Sequence, residues 1–236
     1  MSLARFAAMA VPRRQAENGR LFSQLFLPRA DLLGDPFEGS IPSSVKKLRN
    51  SDPWFQSFPP GYHEAFRKWT FVSCWHSNRG ESAALWQLYA QSEGSVAVRS
   101  TYSRIRKALA HIPDRVAVSR VAYIDYDNDN FRFGDPRAGS QPFLHKRLSF
   151  EHEHEVRIIR IVTPPAPTPN TAVTPTDFLQ DQPMPGTVFH VSLAELVETV
   201  YVSPDAPPWI RPTIEAMLRS WGWEIPVQQS RAASIF

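Results

Sequence analysis

A densely charged segment, residues 150–157 (Phe-Glu-His-Glu-His-Glu-Val-Arg), runs directly into the apolar residues 158–162 (Ile-Ile-Arg-Ile-Val). A short apolar run is typical of a buried strand, so the charges before it would lie at the strand's end. Side chains alternate between faces in an extended chain, which predicts one face for Glu151, Glu153, Glu155 and Arg157. Adjacent carboxylates repel one another, so the fold must supply solvent, a cation, a cationic side chain or a ligand there. This junction is the candidate active site, and a solvated strand end is the alternative.

The length and composition of the chain favour one domain. Its 236 residues are 42% hydrophobic and 12% aromatic, enough for one good-sized core. Helix and strand patterns follow no regular alternation, which predicts a single α+β domain over residues 1–236 with a mixed, mainly antiparallel sheet and flanking helices. Residues 40–61 form a long aromatic and proline-containing excursion, for which a lid is one interpretation. Residues 163–186 are rich in proline and threonine and predict a surface loop.

The net charge and the single cysteine limit which binding partners and which cellular compartment are expected for this chain. The formal net charge is +3, which allows a nucleic-acid partner without requiring one. Cys74 is the one cysteine, so neither an internal disulfide nor a thiolate zinc site can form, and we expect a small core residue. No apolar stretch approaches the roughly 20 residues that span a bilayer. The sequence therefore predicts a soluble cytoplasmic protein without a membrane partner.

Local patterns predict several elements around the junction. Residues 4–10 suit a short helix or a first strand. Asn78, with Glu81 three positions later, is a capping-box pattern that predicts a helix over 81–90. Residues 116–126 predict one continuous strand, and residues 142–148 predict a short helix before the glutamates.

Aromatic side chains on the 81–90 helix invite two interpretations. Trp86 and Tyr89 are three positions apart and share a helix face, for which core packing is the favoured explanation. The alternative is that they form, with Trp75, an aromatic wall on which a nucleobase or nicotinamide ring stacks.

A polar tripeptide ends the predicted strand at residues 94–101. Arg99, Ser100 and Thr101 combine a guanidinium with two hydroxyls, which suits phosphate recognition. Helix capping by Ser100 or Thr101 is the alternative.

Metal chemistry has weak support in the sequence. Three histidines lack a coherent ligand shell for zinc, so no metal is predicted there: His145, His152 and His154. Four carboxylates could gather a divalent cation for phosphodiester cleavage: Asp35, Glu38, Glu153 and Glu155. Such a nuclease site would include a partnered lysine, but the residue two after Glu155 is Arg157. Glycine-rich nucleotide loops and esterase elbows are absent from the sequence.

Several segments in this order resemble an uncharacterised bacterial family, the domain of unknown function numbered 2971. They lie at residues 25–39 (Leu-Phe-Leu-Pro-Arg-Ala-Asp-Leu-Leu-Gly-Asp-Pro-Phe-Glu-Gly), 72–76, 85–89, 94–98, 121–126 and from 143 to 157. The resemblance covers most of the chain up to about Val162. The family name implies no chemistry.

A more distant resemblance supplies a chemistry. An N-terminal segment with an arginine, a strand ending in Arg-Ser-Thr and a late strand with Glu-x-Glu are similar in order to elements of ADP-ribosyltransferases. The resemblance implies a split sheet, Glu155 as the catalytic carboxylate with Glu153 two positions before it, Ser100 as the hydroxyl and Arg5 as the first-motif arginine. Together with the patterns above, the residues expected to bind NAD are Arg5, Trp75, Trp86, Tyr89, Arg99, Ser100, Thr101 and Arg157.

The resulting hypothesis is an NAD-dependent ADP-ribosyltransferase or NAD glycohydrolase, because cleavage of a glycosidic bond to a cationic leaving group needs anionic stabilisation. Such an activity suits a toxin or phage-defence effector whose macromolecular target, nucleic acid or protein, is unknown. Two alternatives stay open: a non-catalytic module that binds nucleic acid or protein, and a metal-dependent nuclease.

Overall fold

A computed structural model describes residues 1–14, 21–48, 53–90, 94–113, 116–129 and 138–232. The chain forms two compact units. The first comprises Met1–Phe26, Asn78–Ile112 and Val188–Phe236, and the second comprises Leu27–Ser77 and Pro113–Thr187. The predicted single domain thus contains two units. Among the helices of the described residues, none is both long enough and apolar enough to cross a bilayer.

Helices and strands are mixed along the chain, and most strand pairs are antiparallel, as the composition and patterning predicted. The helices are α1 (Leu3–Ala10), α2 (Ser43–Leu48), α3 (Pro53–Gln56), α4 (Tyr62–Lys68), α5 (Ala83–Tyr89), α6 (Tyr102–Leu109), α7 (Leu193–Leu196) and α8 (Ile210–Ser220). The strands are β1 (Arg13–Arg14), β2 (Leu21–Pro28), β3 (Thr70–His76), β4 (Val96–Arg99), β5 (Val116–Arg120), β6 (Ala122–Ile124), β7 (His145–Arg147), β8 (Glu155–Ile161), β9 (Gly186–Val191), β10 (Thr199–Val202) and β11 (Val227–Gln229).

The second unit is built on the antiparallel sheet β3–β8–β5, with β8 in the middle. Val72, Ile159 and Ala117 lie in register on one face of this sheet. They belong to an apolar core completed by Phe66 of α4 and by Phe143. The same face continues along β8 to Arg157 and Glu155, so the charged residues lie at the edge of the core.

The predicted continuous strand over 116–126 is wrong, because the chain changes partner at Val121. β5 pairs antiparallel with β8, whereas β6 pairs parallel with β7. The backbone N–H of Val121 donates to the carbonyl of Glu155, and that of Ala122 donates to the carbonyl of Leu144. One residue therefore connects two different sheets. The predicted helix over 142–148 is also wrong, since a 3₁₀ helix (Ala138–Phe143) is followed directly by β7.

The first unit contains the sheet β11–β10–β4 and most of the sheet β1–β2–β9. α8 buries Ile210, Ile214 and Leu218, which follow the helical period and form its apolar face. α1 is a helix, which removes the alternative of a first strand at residues 4–10. The capping box at Asn78 is wrong, because the hydroxyl of Ser82 caps α5 by accepting the N–H of Leu85.

The two expected loop regions differ in how far they are described. Residues 40–61 contain α2 and α3, but residues 49–52 and the side chains of Trp54 and Phe55 lie outside the described part. Residues 163–186 are mostly irregular, with a 3₁₀ helix at Pro175–Leu179. The indole N–H of Trp69 donates to the carbonyl of Phe178 at 3.0 Å, so this loop is held against Trp69, the residue before β3, within the second unit.

Candidate functional site

The segment before β8 is not extended, which corrects the predicted face of three glutamates. Residues Leu148–Glu153 form a 3₁₀ helix, and His154 follows with φ +40° in the left-handed region. Strand alternation therefore begins only at Glu155. Glu151 is exposed, while Glu153 and Glu155 are both half-buried.

Glu155 and Arg157 do share a strand face, as predicted. The Nε of Arg157 donates to Oε2 of Glu155 at 2.8 Å. The neighbouring strand β3 places Cys74 opposite Arg157 and His76 opposite Glu155. Directly opposed residues of antiparallel strands lie on the same face, so these four side chains form one polar end of the sheet.

Arg157 is fully buried, and all three nitrogens of its guanidinium form hydrogen bonds within the second unit. Its Nη2 contacts Oε2 of Glu38 at 2.8 Å and Oε2 of Glu155 at 2.6 Å, and its Nη1 contacts Oε1 of Glu38 and the carbonyl of Phe143. With the Nε bond to Glu155, the guanidinium makes four hydrogen bonds, and the contact of Nη2 with Glu155 adds an ion pair. Arg157 therefore holds the site together, and its expected role in binding NAD stays a prediction.

Glu38 reaches Arg157 from the turn at residues 35–39. Gly39 has φ +68°, a conformation that favours glycine, and a Cβ there would collide with the ring of Phe143. Burial raises the pKa of Glu38, although the charge of Arg157 opposes this shift. The pKa of Arg157 is also raised, because Glu38 and its other anionic neighbours outweigh the effect of burial. Arg157 therefore stays charged, and Glu38 is the member of this ion pair that can change its protonation state.

Lys146 of β7 is the lysine that sequence reasoning missed. Its Nζ forms an ion pair with Oε2 of Glu153 and lies 3.8 Å from Oε1 of Glu155. The side chain is buried, and its Nζ lies 4.5 Å from the ring centroid of Phe150. Burial alone would lower the pKa of Lys146, but the two glutamates raise it above the ordinary value. The sequence of this short basic segment does not indicate which of its residues pairs with the glutamates.

Tyr123 of β6 fixes the beginning of β8. Its hydroxyl accepts the backbone N–H of Glu155 at 2.7 Å. Burial raises the pKa of Tyr123, and the charges of Glu155 and Glu153 add to the shift. The phenol thus stays protonated near neutral pH and can donate its own proton to a further acceptor.

Cys74 is exposed, so its predicted place in the core is wrong. The strand register puts it at the polar end of the sheet, beside Arg157, and not over the apolar core. Although the residue as a whole is exposed, burial of the thiol raises its pKa to about 12, and the charges of Glu155 and Glu38 add to the shift. The thiolate is therefore scarce at neutral pH, and Cys74 is a poor nucleophile.

The Arg-Ser-Thr tripeptide lies in the first unit and is engaged locally. Arg99 is exposed, and its Nε pairs with Oε2 of Glu198 at 3.0 Å. The hydroxyl of Ser100 donates to the carbonyl of Leu196 at 2.5 Å. Thr101 is the N-cap of α6, so the capping alternative is confirmed for this residue.

The aromatic candidates are also placed by the structure. The predicted core packing of Tyr89 is wrong. This residue is 58% exposed, and α5 buries none of its residues. Trp86 is half-buried, with its indole N–H 3.3 Å from Oε2 of Glu81. Trp75 pairs with Val156 and therefore lies on the sheet face opposite Glu155 and Arg157. Arg5 is exposed on α1.

The predicted site residues divide between the two units. The second unit brings together Glu153, Glu155 and Arg157, with Trp75 on the other face of the same sheet. The first unit contains the others: Arg5, Trp86, Tyr89, Arg99, Ser100 and Thr101. Among the described residues, no group of three His, Cys, Asp or Glu side chains is placed to hold a metal ion.

Comparison with protein-family profiles, with curated proteins and with solved structures finds no match to this chain. The chemistry of the site therefore rests on its own residues. Three carboxylates stand against two cations, so the cluster of Glu38, Glu153, Glu155, Lys146 and Arg157 has one net negative charge when all five groups are ionised. A fixed anionic cluster can stabilise positive charge that develops in a bound substrate.

Proposed function

We propose that the protein cleaves the bond between nicotinamide and ribose in NAD, as an ADP-ribosyltransferase or an NAD glycohydrolase. One observation carries the proposal. The carboxylate of Glu155 is held by Arg157 and lies within 3.8 Å of Lys146, while its backbone N–H is anchored by Tyr123. A group fixed in advance stabilises a transition state without reorganising during the reaction.

The reaction uses that fixed charge. As the C–N bond breaks, its electron pair leaves with nicotinamide, and positive charge develops on the ribose ring. Glu155 stabilises this oxocarbenium-like state, and Glu153 adds to the negative field. Water or a nucleophile of the target then bonds to the ribose carbon and releases a proton.

The test measures nicotinamide release from NAD by wild-type protein and by Glu155→Gln. Removal of one stabilising group costs about 3–4 kcal/mol, so turnover should fall roughly 10²–10³-fold. Glu151→Gln is the matched control, because Glu151 is exposed and forms none of these ion pairs. Circular dichroism checks that both variants fold. Undiminished turnover by a folded Glu155→Gln protein would contradict the proposal.

Lys146 favours a second candidate, the metal-dependent nuclease. A nuclease site of this kind would include a lysine partnered with the glutamates, and Lys146 lies beside Glu153 and Glu155. Glycosidic cleavage needs no divalent ion, so a chelator should leave nicotinamide release unchanged. Cleavage of DNA or RNA that Mg²⁺ restores after chelation would favour the nuclease instead.

The same proposal extends to the biological setting. We further propose that the chain belongs to the bacterial family numbered 2971, has an ADP-ribosyltransferase-like split sheet, and acts in the cytoplasm as a toxin or phage-defence effector on a nucleic acid or a protein. The exposure of Tyr89 favours a non-catalytic binding module as another candidate. Binding of single-stranded nucleic acid that Tyr89→Ala weakens, without any NAD turnover by the wild type, would support that candidate.

A further inference from the structure

Two arginines of the second unit, ten residues apart, differ in how their donors are used. The guanidinium of Arg157 makes four hydrogen bonds, which use all three of its nitrogens. The guanidinium of Arg147 makes one hydrogen bond to another described residue, from Nη2 to Oδ1 of Asp35, and this bond is long at 3.5 Å. Its Nε is buried and has no partner among the described residues. The Nη1 donors likewise have no hydrogen-bond partner within the part of the chain that the structure describes.

Aromatic rings fix the orientation of this unsaturated guanidinium. The Cζ of Arg147 lies 4.1 Å from the ring centroid of Phe37 and 5.2 Å from that of Phe150. Phe37 is 46% exposed, and the side chain of Arg147 is 37% exposed. Stacking on aromatic faces orients the planar fork while leaving its edge free to donate hydrogen bonds. An oriented fork loses less entropy when it binds a planar or tetrahedral oxyanion.

Arg147 is also close to the glutamate site. Phe150 contacts both Arg147 and Lys146, and its ring centroid is 4.5 Å from the Nζ of Lys146. Lys146 in turn pairs with Glu153 and lies 3.8 Å from Glu155. Phe150 therefore contacts two cations: Lys146, whose charge is balanced by the glutamates, and Arg147, whose guanidinium donors are mostly unused.

We propose that Arg147, whose guanidinium lies over the rings of Phe37 and Phe150, is a phosphate-binding subsite that holds the diphosphate of a nucleotide substrate beside Glu153 and Glu155. This inference rests on the proposed function for the identity of the substrate, but the phosphate contact itself does not depend on turnover. Arginine is suited to this role, because its planar fork makes bidentate contacts with phosphate oxygens. Asp35 contacts Arg147 through one long bond, so a phosphate can displace it.

The experiment measures equilibrium binding by isothermal titration calorimetry to the full chain. The probes are ADP-ribose, adenosine, inorganic pyrophosphate and a short single-stranded DNA oligonucleotide. Wild-type protein should bind ADP-ribose and pyrophosphate more tightly than adenosine, and salt should weaken both interactions. Arg147→Gln should weaken binding of the two phosphate probes by roughly 10- to 100-fold. Arg147→Lys should restore only part of it, because lysine cannot form the fork.

The control variant is Arg120→Gln. Arg120 is an exposed arginine of β5 paired with Val156, which places it on the sheet face opposite Glu155. Arg120→Gln changes the net charge by the same amount as Arg147→Gln and should leave binding of the phosphate probes unchanged. Equal weakening by both variants would mean that only net charge matters, and it would overturn the subsite.

Other outcomes separate this inference from the proposed function. Phosphate binding that needs Arg147, in a protein that releases no nicotinamide, would keep the subsite and reject the NAD chemistry. Turnover of NAD that Arg147→Gln leaves with the same KM would reject the subsite and keep the chemistry. Binding of adenosine as tight as that of ADP-ribose, or no binding of any phosphate probe, would overturn the inference. If the protein bound the oligonucleotide but not ADP-ribose, the assignment of the subsite to a nucleotide substrate would be overturned.

Discussion

Replacing Glu38 by glutamine tests how strongly the buried ion pair supports the second unit. The side chain of Glu38 is 2% exposed and that of Arg157 is 0% exposed, and two hydrogen bonds join them. Glutamine preserves the size of the side chain but has one acceptor oxygen in place of two. In Glu38→Gln, one guanidinium donor therefore faces an amide NH₂ group. The buried charge of Arg157 also loses one of its two carboxylate partners.

The magnitude follows from the burial of both partners. Removing one member of a buried ion pair costs about 3–5 kcal/mol, a large part of the roughly 5–15 kcal/mol that stabilises a typical domain. Glu155 still pairs with Arg157 in the variant, so we expect a loss near the lower limit, about 3 kcal/mol.

Urea unfolding followed by circular dichroism measures the change in free energy. Asp181→Asn is the matched control, because the Lys68–Asp181 pair belongs to the same unit but its side chains are 40% and 96% exposed. An exposed pair contributes at most about 1 kcal/mol. If Glu38→Gln were as stable as Asp181→Asn, the reasoning from burial would be refuted.

Three further predictions concern the packing and the pH dependence of stability. Gly39→Ala should destabilise the protein by about 1–3 kcal/mol in thermal or urea unfolding, because φ is +68° there and the new methyl group collides with the ring of Phe143; unchanged stability would contradict the turn geometry. Trp86→Ala should cost less than the about 3–5 kcal/mol of a fully buried aromatic residue, since α5 buries no side chain, and a larger loss in the same assay would show that Trp86 is a core residue. Burial raises the pKa values of Tyr62 and Tyr126 from 10.0 to about 12, so the unfolded chain releases these protons first, and stability should decline as pH rises from 10 to 12. Tyr62→Phe should make that decline shallower in urea titrations across this range, and an equally steep decline would refute the linkage.

The sequence by itself determined the elements whose signals are local. The apolar run after Glu155 predicted β8, and Ile210, Ile214 and Leu218 of α8 follow the helical period that an amphipathic helix requires. These patterns succeed because a strand or an amphipathic helix must bury one face, whatever it packs against. The pairing of Glu155 with Arg157 was also accessible, since alternate residues of one strand share a face.

Local patterns failed where tertiary contacts decided the conformation. Alternation predicted one face for Glu151, Glu153 and Glu155, but the 3₁₀ helix before β8 ends the alternation at His154. The strand predicted over 116–126 divides at Val121, because β8 and β7 compete for its hydrogen bonds. The exposure of Cys74 followed from the register of β3 against β8, which sequence periodicity does not specify.

Only the tertiary structure decided which cations balance the glutamates. The sequence required compensation for clustered carboxylates, but it did not identify Lys146 as the partner of Glu153 or Glu38 as the partner of Arg157. Glu38 and Arg157 are 119 positions apart, and a turn made possible by Gly39 joins them. Repulsion between neighbouring charges is a local property that a sequence displays directly. The identity of the compensating group depends on which distant segments the core packs together, and that is a property of the whole fold.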